Sequence, residues 1–233
     1  GLEAAHHLNS GGRKITVVEL MPRILPRQLD EPVSTWFADR IRAAGVDLRL
    51  GTQVKEVRGQ DGHLVVSTPG EELEADLVLF SIGVRPRTEL ARQAGLTVNR
   101  GVVVDAYMQT SDPAVFACGD VAEVGGMIWP LWMPAMRMGQ VAGHNAVSGR
   151  ETTYVLTVPP AALAAFSTRI FSVGQLEKGE VLERKADADN GLRCYFEEGV
   201  LTGVLLWGDT AKGLSLSKAM ESKADRATVE ALL

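Results

Sequence analysis

The sequence predicts an α/β protein whose last third changes to an antiparallel α+β arrangement. Residues 14–20, KITVVEL, form a β-branched run behind a glycine-bounded helix, which is typical of a strand inside a parallel sheet. Residues 53–80 change to an apolar period of two, broken by turn residues, which indicates a small antiparallel meander. From about residue 151, short alternating strands and hairpin turns follow one another to the end of the chain.

Composition limits the classes of function. The chain has 233 residues, of which 45% are hydrophobic and 23% are charged, so it can bury a sizeable core. A net charge of −5 without a basic block argues against nucleic acid or an anionic membrane as the main partner. Cys118 and Cys194 form no CxxC pair; we expect both to be core residues and the protein to be cytoplasmic.

The first fifty residues predict helix, strand, helix and strand in that order. The first helix ends at residues 11–12, and the strand at residues 14–20, which we expect to be buried on both faces, ends in Glu19. Such an acidic residue binds the adenosine ribose in a dinucleotide fold, whereas an isolated example is more often only solvated. Asp30 is a good N-cap for a helix to Gly45, and residues 46–50 form the next strand.

The middle of the chain predicts strands at residues 53–57, 63–67 and 73–80, with residues 76–80 as a core strand. That strand leads to Gly83, where a ligand could reach the backbone. A helix at residues 89–94 and a strand at residues 101–104 follow.

Residues 110–124, TSDPAVFACGDVAEV, predict a buried strand at residues 115–118 that delivers one carboxylate into a crevice. Gly119 has no Cβ and lets a ligand approach the backbone, and Asp120 can accept hydrogen bonds from ligand hydroxyls. The alternative is an aspartate that only caps the following loop.

Two tryptophans and two methionines at residues 127–134 either line a ligand or an interface, or fill the core of an irregular loop. A helix follows at residues 135–147, with Pro134 in its first turn. The third part predicts strands at residues 170–176, 181–185, 192–196 and 200–206 and one helix at residues 210–233. We find no catalytic constellation there.

Taken in order, these motifs resemble the FAD-dependent pyridine nucleotide-disulfide oxidoreductase family, and within it the NADH oxidase, rubredoxin or ferredoxin reductase and nitrite reductase branch. The resemblance implies a truncated Rossmann-like NAD(P)-binding domain at residues 1–97 that lacks its first strand. It further implies the C-terminal segment of the FAD-binding domain at residues 98–150 and an α+β interface domain at residues 151–233. The N-terminal FAD half-domain would be missing.

The resemblance also implies site residues. Gly1 matches the last glycine of the NAD-binding GxGxxG, Glu19 the ligand of the NAD ribose, and Gly83 the glycine at the nicotinamide half. For FAD, the implied contacts are Gly119 and Asp120 at the ribityl chain, and the segment from Leu131 to Ala135 at the helix N-terminus beneath the flavin. No catalytic residue and no metal ligand is predicted.

The implied function is a flavoprotein oxidoreductase that passes a hydride from NAD(P)H to FAD, and electrons to a disulfide, oxygen or a small redox protein. NADH is favoured because Glu19 repels the 2′-phosphate of NADPH, while Arg23 keeps NADPH open. The interface domain implies a homodimer, and we expect the chain alone to be inactive and flavin-free. The alternatives are a non-catalytic dimerisation or partner-binding module and, with less support, a stand-alone NAD-binding domain.

Overall fold

A computed structural model describes the backbone of residues 1–233 and every side chain except that of Gln60. The chain forms two compact units, one made of residues 1–81 and 160–233 and the other of residues 82–159. Each unit contains a pair of parallel strands, and the first also contains an antiparallel C-terminal sheet. The predicted α/β class with an antiparallel last part is therefore confirmed.

The first unit begins with the predicted alternation of helices and strands, which are α1 (Leu2–Asn9), β1 (Thr16–Val18), α2 (Glu31–Ala43) and β2 (Asp47–Arg49). Strands β1 and β2 pair in parallel. The predicted N-cap is confirmed, because Asp30 accepts a hydrogen bond from the backbone N–H of Val33 at 3.0 Å.

Two predicted strands of this region are wrong in extent. The run at residues 14–20 is a strand only over Thr16–Val18, where Thr16 is exposed and both valines are half-buried. Residues 76–80 form no strand, and Leu77 and Phe80 are 71% and 62% exposed. An apolar run becomes a central strand only with hydrogen-bonding neighbours on both sides. Among the described residues, β1 has β2 as its one neighbour and residues 76–80 have none.

The predicted meander is confirmed as a three-stranded antiparallel sheet. Its strands are β3 (Glu56–Gln60), β4 (His63–Thr68) and β5 (Glu71–Ala75), in that spatial order. Arg49 on β2 donates to Glu71 on β5, which ties the meander to the parallel pair.

The C-terminal part is a five-stranded antiparallel sheet in the order β10-β11-β12-β9-β8. Its strands are β8 (Ala161–Ala165), β9 (Thr168–Gly174), β10 (Glu180–Lys185), β11 (Gly191–Glu197) and β12 (Val200–Trp207). Strand β8 was not predicted because alanine-rich segments carry little strand signal. The single predicted helix is two helices, α5 (Gly213–Glu221) and α6 (Arg226–Leu232). The helical path is interrupted at Lys223, whose φ is +56°.

The two faces of this sheet pack into two different hydrophobic cores. One face, with Tyr195, Leu205 and Trp207, packs in the same cluster as α2 residues such as Phe37. The other face packs on α5 and α6 and includes Cys194, which is fully buried as predicted. The C-terminal sheet therefore shares its core with the first fifty residues.

The second unit contains α3 (Glu89–Gln93), β6 (Val102–Val104), a 3-10 turn (Gly119–Val121), β7 (Ala122–Val124) and α4 (Trp132–Ser148). Strands β6 and β7 pair in parallel. Met108, Met138 and Val141 are buried in the core between this pair and α4.

The strand predicted at residues 115–118 is wrong. These residues make one isolated bridge, Gln109 to Phe116, and Cys118 is exposed rather than in the core. The physical reason is local. Asp105 accepts the backbone N–H groups of Tyr107 and Gln109, and Asp112 accepts that of Ala114, so side chains compete with strand pairing. The strand begins after Asp120, at Ala122.

Candidate functional site

The turn that carries Asp120 is closed by a backbone hydrogen bond. Gly119 has φ +74°, in the left-handed region that favours glycine, and the N–H of Ala122 donates to its carbonyl. Asp120 lies on the outside of this 3-10 turn and is exposed. Its carboxylate can therefore exchange water for ligand hydroxyl groups.

Helix α4 presents an uncapped N-terminus. It begins at Trp132, three residues before the predicted start, with Leu131 in the N-cap position. Among the described side chains none caps this end, and its first turn has no acidic residue. The first N–H groups of a helix have no partner within it, and they form the positive end of the helix dipole. This end can therefore receive negative charge from a ligand.

The fold brings the Asp120 turn and the start of α4 together. A Cβ built on Gly119 would lie 3.7 Å from the Cβ of Ala135, which is an ordinary van der Waals contact. Ala135 in turn donates its N–H to the carbonyl of Leu131 at 3.0 Å. Four of the predicted site residues, Gly119, Asp120, Leu131 and Ala135, thus lie at one place in the second unit.

Gly83 belongs to the same unit. Its φ is +83°, and nothing lies within 4 Å of a Cβ built on it. Glycine is therefore favoured by the backbone at this position, and the space beside it is open.

The two residues predicted to bind NAD lie in the first unit. Gly1 is the N-cap of α1, and a Cβ built on it would lie 3.4 Å from the side chain of Ser81. Glu19 follows β1 directly and is half-buried. Its Oε1 accepts the backbone N–H of Met21 at 2.8 Å, so this bond orients the carboxylate at the end of the strand.

Arg23 is engaged elsewhere. Its guanidinium donates to the carbonyls of Leu29 and Pro26 and forms an ion pair with Glu177 of the C-terminal part. A phosphate near Glu19 would have to compete with these three partners for Arg23.

Glu123 is a buried residue of this region that sequence reasoning missed. Only 3% of it is exposed, and it lies in β7, three residues after Asp120. The signal in the sequence is a charged residue between Ala122 and Val124 in a short apolar segment. A charge in such a position must find buried partners.

Other parts of the described structure offer less. An open cleft of about 1090 Å³ on the C-terminal sheet is lined by residues such as Glu180, Phe196 and Lys223, and it borders none of the predicted site residues. Among the described residues there is no group of three or more His, Cys, Asp or Glu placed to hold a metal ion. No described helix is long and apolar enough to cross a membrane.

Comparison with known proteins gives two family matches. Residues 1–139 match the family described as Pyridine nucleotide-disulphide oxidoreductase, and residues 159–224 match the Rubredoxin NAD+ reductase C-terminal domain.

Individual relatives cover almost the whole chain. A rubredoxin-NAD(+) reductase of Alcanivorax borkumensis is 33% identical over 91% of this chain and 56% of its own length. A nitrite reductase [NAD(P)H] of Bacillus subtilis is 30% identical over 97% of this chain and 29% of its own length. A crystal structure of a FAD-dependent pyridine nucleotide-disulphide oxidoreductase from Desulfovibrio vulgaris has a TM-score of 0.82 and 28% identity, covering 99% of this chain and 66% of that one.

Proposed function

Because the chain belongs to the pyridine nucleotide-disulphide oxidoreductase family, in its rubredoxin reductase and nitrite reductase branch, we propose that it is part of a flavoprotein oxidoreductase. A hydride passes from NADH to FAD, and electrons pass on to a disulfide, oxygen or a small redox protein. The relatives include NAD(P)H-dependent flavin oxidoreductases.

The observation that supports this proposal most directly is the meeting of the Asp120 turn with the start of α4. FAD carries ribityl hydroxyl groups and a ring that becomes negative on reduction. Asp120 would accept hydrogen bonds from the hydroxyl groups, and the N-terminus of α4 would stabilise the charge. When bound, FAD supplies the hydride-accepting chemistry, and these residues hold and orient it.

NADH is the proposed electron donor. Glu19 is oriented at the end of β1, where it would accept hydrogen bonds from the ribose hydroxyls and repel a 2′-phosphate. The partners of Arg23 support this preference, because they leave its charge committed to Leu29, Pro26 and Glu177. A cytoplasmic location belongs to the same proposal, because both cysteines are free thiols.

The chain spans between 29% and 56% of the length of the two curated relatives described above. We therefore propose that residues 1–97 form a partial NAD(P)-binding domain. Residues 98–150 would be a segment of the FAD-binding domain, and residues 151–233 an interface domain. The exposed side chains of Leu77, Leu79 and Phe80, and the single neighbour of β1 among the described strands, support a nucleotide-binding sheet that lacks one strand. A homodimer and a small redox-protein acceptor belong to the same proposal.

Titration of FAD into the protein expressed from its natural reading frame tests the assignment. Asp120→Ala removes hydrogen bonds to a charged group and should weaken FAD binding by roughly 10- to 100-fold, or about 1.5–3 kcal/mol. Asp112→Asn is the matched control, since Asp112 is exposed on the loop before this turn and Asn keeps its bond to Ala114. Equal affinity of wild type and Asp120→Ala would contradict the role of Asp120.

The alternative function is a non-catalytic dimerisation or partner-binding module. It is favoured by the C-terminal sheet, where no catalytic constellation is found among the described residues. This reading expects the 233-residue chain to dimerise without flavin. Light scattering of the flavin-free chain decides it, and a monomer at micromolar concentration would count against the module.

A further inference from the structure

One buried carboxylate holds the turn before β6. Glu123 Oε1 accepts a hydrogen bond from the side-chain amide of Asn99 at 2.9 Å. Its Oε2 accepts the backbone N–H groups of Arg100 at 3.0 Å and Gly101 at 2.9 Å. These three donors, led by the N–H of Gly101, hold the pKa of Glu123 below its ordinary value in spite of burial. The carboxylate is therefore ionised and paired at neutral pH.

The turn that Glu123 holds packs closely against the turn that carries Asp120. Gly101 lies so close to it that a Cβ would be 2.7 Å from the carbonyl oxygen of Val121 and 3.2 Å from Ile128 Cδ1. Val121 follows Asp120 within the same 3-10 turn. Movement of Gly101 away from Glu123 would therefore remove a close neighbour of the backbone next to Asp120.

Two further contacts restrain the same backbone. The Arg100 guanidinium donates to the carbonyl of Gly126 at 2.6 Å, which joins the turn before β6 to the loop after β7. Residue Glu123 lies opposite Val103 in the parallel pair of β6 and β7. The carboxylate thus joins residues 99–101 to β7, the strand that begins two residues after Asp120.

We propose that Glu123 is a positioning residue for the Asp120 turn. Its carboxylate holds residues 99–101 against Val121 and so fixes the backbone from which Asp120 faces ligand hydroxyl groups. The mechanical coupling rests on the contacts given above, whereas its value for FAD binding rests on the proposed function.

Amide hydrogen exchange of the 233-residue chain tests the coupling without any ligand. The reporter is Ala122, because its N–H closes the turn by donating to Gly119. Glu123→Ala should speed exchange at Arg100 and Gly101 and also at Ala122, by roughly 10- to 100-fold, the loss expected for hydrogen bonds to a charged group. Glu151→Ala is the control, since Glu151 is an exposed residue of the same unit paired with His144.

Glu123→Gln provides the conservative variant. The Oε1 of this glutamine can accept both backbone N–H groups. The side chain of Asn99 can turn so that its Oδ1 accepts a hydrogen bond from the glutamine Nε2. Exchange at Ala122 should then stay within about fivefold of wild type. Faster exchange confined to Arg100 and Gly101 in Glu123→Ala would overturn the proposal, because Glu123 would then stabilise only the turn before β6 and not the Asp120 turn.

Should Glu123→Ala fail to fold, Asn99→Ala decides instead, since it removes one of the bonds and should give a smaller rise at Ala122. An unchanged Ala122 in that variant would overturn the coupling. Fluorescence titration with FAD separates the two proposals. If the wild-type protein binds no FAD while Ala122 responds to Glu123→Ala, the proposed function fails and the coupling stands.

Discussion

Asp120, Glu123 and Glu19 are carboxylates in three different environments. Asp120 is exposed, Glu123 is buried with three hydrogen-bond donors, and Glu19 is half-buried and oriented by the N–H of Met21. A buried carboxylate with all its partners inside the protein has nothing left to offer a ligand, whereas an exposed one does. Asp120 and Glu19 are therefore the proposed ligand contacts, and Glu123 supports one of them.

The choice between NADH and NADPH depends on one residue in this account. Glu19→Gln keeps a hydrogen-bonding side chain but removes the charge that repels a 2′-phosphate. The ratio of kcat/KM for NADH over NADPH should fall by roughly tenfold, or about 1.4 kcal/mol. Steady-state kinetics of the FAD-loaded protein measure it, with Glu31→Gln, an exposed residue of α2, as control. An unchanged ratio would remove Glu19 from the proposed nucleotide site.

The pH dependence of stability follows from Glu123. The pKa of Glu123 is lower in the folded protein than its unfolded value of about 4.3, so folding favours the ionised form. The stability that it provides is complete above the unfolded pKa and is lost as the pH falls through the folded pKa. At pH 7, Glu123→Gln should be less stable by about 1 kcal/mol, and the difference should vanish below that lower pKa.

Urea unfolding of wild type and Glu123→Gln across this range measures the difference, and other titrating groups cancel in the comparison. A difference that is the same at pH 7 and pH 3 would show that the charge of Glu123 contributes nothing.

At the scale of elements, Asp30 connects α2 to the C-terminal sheet. Its Oδ1 caps α2 at Val33, and its Oδ2 accepts from the Tyr195 hydroxyl at 2.6 Å and from the Arg193 guanidinium. Asp30→Ala should destabilise the first unit by about 3–5 kcal/mol, because it removes the cap of α2 and leaves the charge of Arg193, whose side chain is 12% exposed, with Glu183 as its remaining described partner. Asp189→Ala, which breaks an exposed ion pair with Arg40, should cost about 0–1 kcal/mol. Equal losses in denaturant unfolding would contradict this account.

Helix α4 gives a prediction of the opposite sign. Gly143 lies in its interior, and nothing stands within 4 Å of a Cβ built there. Gly143→Ala should stabilise the chain by about 0.5–1 kcal/mol, because glycine loses more backbone entropy in a helix. Gly101→Ala is the contrasting variant, since its Cβ would meet the carbonyl of Val121, and it should destabilise. Thermal unfolding measures the stability of both variants. A destabilised Gly143→Ala would show that the face of α4 at Gly143 packs against another surface.

Elements set by local chemistry could be predicted from the sequence, whereas those set by distant partners could not. Asp30 and Pro32 mark the start of α2, and the turn glycines divide the meander correctly. The apolar runs at residues 76–80 and 115–118 look like core strands, yet they lack the neighbours that a strand needs. The contact of Asp30 with Tyr195, 165 positions away, carries no signal in a single sequence.

On the scale of the whole molecule, the grouping of residues does not follow chain order. Residues 1–81 share one unit with residues 160–233, and all four predicted flavin contacts lie in the unit formed by residues 82–159. Candidate site residues could be proposed from the sequence because the motifs around Glu19 and Asp120 are local in the sequence. Glu123 escaped notice because its role depends on a turn more than twenty positions earlier.

The visible absorption spectrum of the protein expressed from its natural reading frame is the sharpest test of FAD binding and of its reduction by NADH. We expect flavin bands after reconstitution with FAD and their bleaching on anaerobic addition of NADH. A protein that stays colourless after reconstitution, or whose flavin NADH does not reduce, would contradict this expectation.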